Sequence, residues 1–492
     1  MIFDDLRSFI DELSHRKDLK VVEGADWDLE IGAITELMVK AGDPPALLFD
    51  KIKDYPKGYR VASLLFAHER RSRLAWGIPP ESSKTEAIVW FKEKLKNFKP
   101  VEPVYVNSGP VKENALFEGD VDLYKFPAPK WHELDGGRYI GTGCMTILKD
   151  PESGYINVGC YRVMIHDKNT LSFYVSPGKD GAIIREKYWA RNEKCPVVVC
   201  FGQEPLLWLV SGMDVGWGVS EFDFAGYLKG KPIEVVKGEV TGLPIPATAE
   251  IACEGEAPPP SIEVRDEGPF GEWTGYYGAT RKATPVIRVK AIYYRNDPII
   301  VGQPPMKPPY NFHFVGPPIH EASRVWNDIE KAGLHGVKIV WSTGPGDRSI
   351  IIVSLEQKYP GHAMQVGLFV HSLNQGGGGL GRMIIIVDDD IDPSNMDEVF
   401  WAICTRCDWE RQVKIITSSS SPLDPLITPE RRAEGDLRAP RIIIDACIPY
   451  HLRGKFPKPS EFSSEIRKKT SEKWKWLVEP YKDVLLADGN LK

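Results

Sequence analysis

The segment EGPFGEWTGYYG, Glu267 to Gly278, sets two carboxylates five residues apart around Gly-Pro-Phe-Gly and follows them with aromatic residues. Gly268 and Pro269 break a helix, and Gly271 admits backbone angles that bulkier residues avoid, so Glu267 and Glu272 project from a loop or turn. A polar surface loop accounts for the glutamates but leaves Phe270, Trp273, Tyr276 and Tyr277 unexplained. Two acids among aromatic rings also describe a partly desolvated pocket in which one carboxyl keeps its proton. Three further segments carry residues suited to chemistry. In INVGCYRVMIHD, Asn157 and Arg162 stand five apart on an expected strand. An odd offset puts them on opposite faces, so both serve one site only if a ligand wraps the strand or a bulge intervenes. In SPGKDGAIIREKYW, Gly178, Lys179 and Asp180 precede a helix expected from about Ala182. There Asp180 suits a helix cap, the plain reading, although a carboxylate at a helix entrance can also coordinate a hard cation beside a phosphate. In GVSEFDFAGYLKG, Ser220 and Glu221 open another helix, where a cap and an acid matched to the helix dipole are the plain reading.

Other motifs carry less. NQGGGGLGR, Asn374 to Arg382, is glycine-rich but precedes a strand, so it fails as a dinucleotide or P-loop fingerprint and reads as a flexible turn. The acids of VDDDID, Val387 to Asp392, close an apolar strand and are expected to serve a turn. Cys404 and Cys407 have CxxC spacing but lie within a helical segment, with no second pair to complete a zinc site. There is no GxSxG and no HExxH among the ten histidines.

The elements that must position these residues fall into distinct textures. Residues 1–115 read as a mixed α/β region, with helices near Glu30 to Val39 and Ser82 to Leu95 and a strand at Ala46 to Phe49. Residues 116–310 hold short strands separated by turns, from CMTILKD to VIRVKAIYYR, interrupted by helices at Ala182 to Asn192 and Ser220 to Leu228. That pattern predicts an antiparallel barrel or sandwich. The Pro-rich run Gly302 to Pro318 marks a junction. Residues 311–455 alternate helices with near-continuous apolar strands, which predicts an α/β domain whose sheet is covered on both faces. A charged helical tail occupies 456–492.

The whole chain bounds its class. At 492 residues it exceeds one ordinary core. With 42% apolar and 26% charged residues it is a globular composition, and a net charge of −6 gives no reason to expect nucleic acid or an anionic membrane as partner. MIFDDLRSFIDELSHRKDLK is charged throughout and lacks a signal-peptide core; Phe3, Leu6, Phe9, Ile10 and Leu13 fit one face of an amphipathic helix. No apolar run is long enough to span a bilayer. Eight scattered cysteines make no disulfide framework, and a cytoplasmic address is expected.

Five motifs, DGGRYIGTG (Asp135 to Gly143), NVGCYR, GVSEFDFAG, EGPFGEWTGYYG and IIIVDDDIDP, resemble the UbiD family of reversible decarboxylases, in the family's order over roughly residues 3 to 450. The resemblance implies an α/β (α+β) protein with a central split β-barrel of flavin-reductase type that binds prenylated FMN, and a C-terminal α/β oligomerisation domain giving a homodimer or homohexamer. It implies a divalent ion, Mn²⁺ or Mg²⁺ or another, held by Asn157, Asp180 and Glu221 beside the flavin phosphate, with K⁺ as a further ion. Asp180 stands where most members have histidine; it remains an oxygen donor suited to such ions. Lys179 and Arg382 are implied cofactor contacts, with Asn157, Arg162 and Glu221. Arg162, Glu267 and Glu272 match the catalytic network.

The implied reaction is release of CO₂ from an aromatic, heteroaromatic or α,β-unsaturated acid, reversible under bicarbonate, with a flavin prenyltransferase supplying the cofactor. Side chains cannot delocalise the electron pair left behind, so the cofactor is the sink and the protein supplies position and proton. Glu272 is the expected donor, its pKa raised by burial near Phe270 and Trp273. Arg162 is expected to orient the substrate carboxylate and keep Glu267 ionised. Two alternatives stand: a non-catalytic subunit of a larger carboxylase assembly, and a plain flavin reductase, which has no evident use for two acids.

Overall fold

The structure is a computed structural model that describes residues 2–79, 82–307, 319–344, 348–373 and 381–481. Most of the glycine-rich run and the end of the Pro-rich junction lie outside these residues. The fold is mixed α/β and forms two compact units, Met1–Pro80 with Asn97–Pro317, and Glu81–Lys96 with Pro318–Lys492.

The first unit begins with the helix Leu6–His15, capped by the Asp5 side chain on the Ser8 N–H, with Leu6, Phe9, Ile10 and Leu13 buried along the expected face. Strands Leu19–Glu23, Ala46–Asp50, Arg60–Ser63 and Ile299–Val301 make a four-stranded sheet in that order. The larger, nine-stranded sheet orders Ile156–Gly159, Cys144–Lys149, Cys195–Phe201, Ile251–Ala257, Arg281–Tyr294, Thr170–Ser172 and Ile165–Asp167. Val264–Glu267 and Asn114–Phe117 also pair with the long strand Arg281–Tyr294. Consecutive strands Ile156–Gly159 and Ile165–Asp167 therefore stand at opposite ends of the path, joined only by residues 160–164. Six Cα steps reach at most about 21 Å, whereas six strand spacings in a flat sheet need about 29 Å. The sheet must curl until its ends approach, although no sheet among the described residues closes into a barrel.

The stretch read as one strand, Tyr155 to Asp167, is broken. Regular pairing stops at Gly159, residues 160–162 are irregular, and an isolated bridge resumes at Val163 opposite Gly141. This break removes the parity argument that would send Asn157 and Arg162 to opposite faces. A helix absent from the sequence reading, Pro205–Ser211, has every residue buried, so it shows no 3.6-residue alternation to detect.

In the second unit a five-stranded sheet runs Val337–Thr343, Ile350–Leu355, Met383–Asp388, Arg438–Asp445, Val413–Ser419. The central pairs are parallel and the outer ones antiparallel. Ile350–Leu355 and Met383–Asp388 are almost wholly buried, whereas the edge strand Val413–Ser419 is largely exposed. Helix Lys84–Lys96 belongs to this unit: Ser323 Oγ donates to the Ile88 carbonyl at 2.9 Å and Asn327 Nδ2 to that of Lys92 at 3.0 Å. Asp388 accepts from Gln357 Nε2, the Ile448 N–H and Arg406, and Asp392 from the Ser394 N–H. Both acids are thus bonded within the turn and its neighbours. Among the described residues no helix is long and apolar enough to cross a membrane.

Candidate active site

Strand Val264–Glu267 ends at Glu267, opposite Arg281 in the ladder, and the chain then turns through Gly268 and Pro269. Gly268 has φ +88°, a conformation that favours glycine, and its backbone approaches Gly136 so closely that a Cβ there would fall 2.0 Å from the Gly268 carbonyl oxygen. Gly136 in turn donates its N–H to the Pro269 carbonyl at 2.9 Å. The DGGRYIGTG segment thus braces the turn that carries the acids. Glu272 leads a tight turn in which its N–H bonds the Tyr276 carbonyl at 2.8 Å.

Arg162 lies between the two acids. Its Nε and Nη2 donate to Glu267 Oε1 and Oε2, both at 3.0 Å, and its Nη1 donates to Glu272 Oε1 at 2.5 Å. Glu267 is fully buried and also accepts Tyr139 Oη at 2.7 Å. The Tyr139 ring stacks on Phe270 with centroids 3.9 Å apart. Burial opposes the charge on Arg162, but Glu272 and Glu267 outweigh it and its pKa rises. Burial first, then Glu267, pushes the Tyr139 hydroxyl upward, so it stays a neutral donor. Arg281 also faces Glu272, Nη2 to Oε1 at 3.5 Å, and lies over the Tyr174 ring. Of the aromatic run expected around the acids, Phe270 is buried, Trp273 is half-buried, and Tyr276 and Tyr277 are exposed. The immediate surroundings of Glu272 therefore include two guanidinium groups as well as apolar rings.

A second cluster gathers Asn157, Glu221 and Asp180. Glu221 is the first residue of helix Glu221–Lys229, whose cap is Ser220, and it is almost fully buried. It accepts the Val158 N–H at 2.7 Å and Asn157 Nδ2 at 3.3 Å. Asp180 is the first residue of helix Asp180–Ala190, with Lys179 at the cap position, so Asp180 is not the cap that its place in the sequence suggested. Its carboxylate accepts Tyr155 Oη at 3.3 Å. Tyr161 links the set: its hydroxyl accepts the Gly181 N–H at 3.2 Å and donates to Asn157 Oδ1 at 3.4 Å. Its ring fits because Gly159 and Gly181 are bare; a Cβ at either would fall 2.4 or 2.7 Å from that ring.

Burial raises the pKa of Glu221 well above its ordinary value, and Asp180 and Asp214 add to the rise; Asp180 is raised by burial and then by Asp214. No Lys or Arg forms an ion pair with either acid among the described residues, where no group of three His, Cys, Asp or Glu is placed to hold a metal. Two weakly compensated carboxylates and a carboxamide fit a hard divalent cation that draws its remaining ligands from a bound phosphate or water.

Arg162, Glu267 and Glu272 are thus one bonded network, and Asn157, Asp180 and Glu221 one cluster. Lys179 is exposed beside the latter. Arg382 lies in the second unit, where its Nη1 donates to Asp424 Oδ2 at 2.6 Å. Sequence reasoning missed Tyr139, Tyr155, Tyr161, Arg281 and Asp135 as neighbours of these groups. Tyr139 and Asp135 fall inside the quoted DGGRYIGTG motif, which was the available signal. Asp135 accepts the N–H groups of Trp131 and His132 at 3.1 and 2.9 Å, and burial pushes its pKa up to about 6.

Three family models match in order: the N-terminal domain of 3-octaprenyl-4-hydroxybenzoate carboxy-lyase (UbiD) over residues 10–89, its Rift-related domain over 103–308 and its C-terminal domain over 313–446. The chain belongs to the UbiD family. It is therefore a carboxy-lyase by family. The pyrrole-2-carboxylic acid decarboxylase of Pseudomonas aeruginosa is 30% identical over 496 residues, covering 96% of this chain and 97% of that protein. Among solved structures, the vanillic acid decarboxylase of Sedimentibacter hydroxybenzoicus in open form superposes with a TM-score of 0.82 at 26% identity, over 99% of this UbiD chain and 100% of that one. An evolved dimeric form of the UbiD-class enzyme HmfF from Pelotomaculum thermopropionicum, in complex with prFMN, gives 0.77 at 26% identity, over 93% and 97%.

Proposed function

We propose that this UbiD-family chain is a reversible, non-oxidative decarboxylase of a flat unsaturated acid, aromatic, heteroaromatic or α,β-unsaturated, and that it works with prenylated FMN. The observation that carries the reading is the single guanidinium of Arg162 bonded at once to Glu267 and Glu272. A scaffold has no need of a shared arginine with one acid held rigid and another at the edge of exposure. Relatives named as decarboxylases of pyrrole-2-carboxylic and phenolic acids support the substrate class.

In this mechanism the C–C bond to the carboxylate breaks, CO₂ leaves, and the bonding electron pair stays with the substrate. Prenylated FMN, when bound, supplies the electron sink that no side chain offers. Glu272 then transfers a proton from its carboxyl oxygen to the vacated carbon and becomes a carboxylate; in the carboxylation direction it takes that proton back. Glu267, which accepts from both Arg162 and Tyr139, keeps the Arg162 guanidinium plane oriented, so that its two N–H groups not spent on glutamate can help to align the substrate carboxylate once it is docked. Asn157, Asp180 and Glu221 would hold Mn²⁺ or another divalent ion beside the flavin phosphate, with Lys179 as a basic contact and K⁺ as a further ion.

The curled nine-stranded sheet supports reading residues 116–310 as a split barrel of flavin-reductase type. Residues 1–115, apart from the helix Lys84–Lys96 that packs within the second unit, would form the N-terminal region and 311–455 the oligomerisation domain, followed by the tail. Exposed Phe400, Trp401, Trp409 and Ile415 favour a homodimer or homohexamer built through that domain. A cytoplasmic enzyme charged by a flavin prenyltransferase completes the proposal. The test is a screen of aromatic and α,β-unsaturated acids for CO₂ release after co-expression with such a transferase. Glu272→Gln should abolish turnover while flavin stays bound; turnover within tenfold of wild type would remove Glu272 as donor.

A further inference from the structure

Arg162 has three of its N–H groups committed to glutamate oxygens. Arg281 has committed none: among the described residues its guanidinium donates no hydrogen bond, and its Nε is buried without a partner. Its place is set by the fold. Arg281 is the ladder partner of Glu267 in the antiparallel pair of Val264–Glu267 with Arg281–Tyr294, so both side chains rise on one face. The guanidinium lies 3.7 Å above the Tyr174 ring, which fixes its plane, and its Nη2 stops 3.5 Å from Glu272 Oε1, at ion-pair distance. A planar cation with open donors, stacked on an aromatic face and aimed past one carboxylate, is shaped for a second carboxylate.

We propose that Arg281 docks the substrate's carboxylate and that this docking loads the proton onto Glu272. The inference rests on the decarboxylase reading above. The groups facing Glu272 are Arg162 and Arg281, positive, and Glu267, negative, with Tyr139 a neutral donor to Glu267 and Asp135 held by the Trp131 and His132 N–H groups. With both glutamates ionised, Arg162, Arg281, Glu267 and Glu272 sum to zero, and Asp135 adds one negative charge above its pKa of about 6, a further bias against a second anion beside Glu272. A substrate anion placed on Arg281 arrives beside Glu272, and two adjacent carboxylates share one proton more readily than they both stay ionised. A proton supplied by the buffered solvent then passes to Glu272, and those four groups with the substrate again sum to zero: two guanidinium groups, Glu267 and the substrate carboxylate. Loss of CO₂ and transfer of that proton to carbon return Glu272 to carboxylate beside its two arginines. The acid is thereby loaded only when a substrate is present to use it.

The test titrates the full-length, flavin-loaded protein calorimetrically with benzoate and with benzamide, an uncharged probe of the same outline, in two buffers of different ionisation heat. Wild type should prefer benzoate and take up about one proton per benzoate bound. Arg281→Gln should lose at least about tenfold of that preference, together with the proton uptake, as expected for a lost charge-assisted contact. Arg281→Lys should keep part of both, and it decides the matter if the glutamine variant fails to fold. Glu272→Gln should bind benzoate without taking up a proton. Equal binding of the two probes by wild type, an unchanged preference in Arg281→Gln, or proton uptake persisting in Glu272→Gln would each overturn the proposal. Flavin absorbance of the same preparations separates the two readings: a preference for benzoate in protein that retains only unmodified flavin counts against the decarboxylase reading alone.

Discussion

The isosteric pair Glu267→Gln and Glu272→Gln should separate holding the site together from supplying its proton. Glu267 is fully buried and accepts three hydrogen bonds, two from Arg162 at 3.0 Å and one from Tyr139 at 2.7 Å. A glutamine there keeps one acceptor but turns an NH₂ toward a guanidinium or a hydroxyl, leaving donors facing donors. Breaking a buried pair of this kind costs about 3 to 5 kcal/mol, and the surviving acceptor puts the expected loss near 3. Glu272 accepts a single bond from Arg162 and is 8% exposed. Its glutamine can still accept from Arg162 and turn its NH₂ to the open side, so about 1 kcal/mol is expected. Urea unfolding followed by tryptophan fluorescence measures both losses, and the acid screen measures turnover in parallel. Glu272→Gln should keep its stability and lose its activity; Glu267→Gln should lose both. A Glu267→Gln protein within 1 kcal/mol of wild type, or equal destabilisation by the two changes, would refute the division of labour drawn from these contacts.

Two further outcomes follow from the same structure. Glu221→Ala removes a carboxylate that burial disfavours but leaves the Val158 N–H without its acceptor, so the protein should still fold, at some loss of stability, and should lose flavin on purification; unchanged flavin absorbance would count against the cation cluster. Asp135, raised from 3.8 to about 6, should shape stability against pH. Below both values the acid is protonated whether folded or not and costs nothing. As pH rises through that window the unfolded chain ionises first, so stability falls, by about 3 kcal/mol once pH exceeds the folded value. Asp135→Asn should flatten that decline between about pH 4 and 6 and unfold later than wild type at pH 7, as read from urea midpoints across the range.

Much of this was legible in the chain because it rests on local rules. Leu6, Phe9, Ile10 and Leu13 bury one face of a helix at the spacing that predicts it, and the strand Ala46–Asp50 falls within a residue of the run Ala46 to Phe49 expected for it. Ser220 caps its helix as its type predicts. Local rules failed where pairing over long sequence distances intervened. The break at residues 160–162 is invisible to alternation, because Val158, Val163 and Met164 read as one strand whether or not the ladder continues. Asp180 suits a cap before a helix expected from about Ala182, but the helix begins at Asp180 itself, two residues earlier.

The sequence by itself determined which side chains were available: three oxygen ligands, an arginine, two glutamates and the glycines that let the backbone turn between them. Only the tertiary structure decided how their donors are spent. Arg162 reaches Glu267 across 105 positions and Tyr139 reaches it across 128, while ladder register sets Arg281 beside the same acid with its own donors open. Residue type fixes how many hydrogen bonds a group can make, but the partners are chosen by strand register and chain crossing, which bring together groups whose distance along the chain carries no record of their contact.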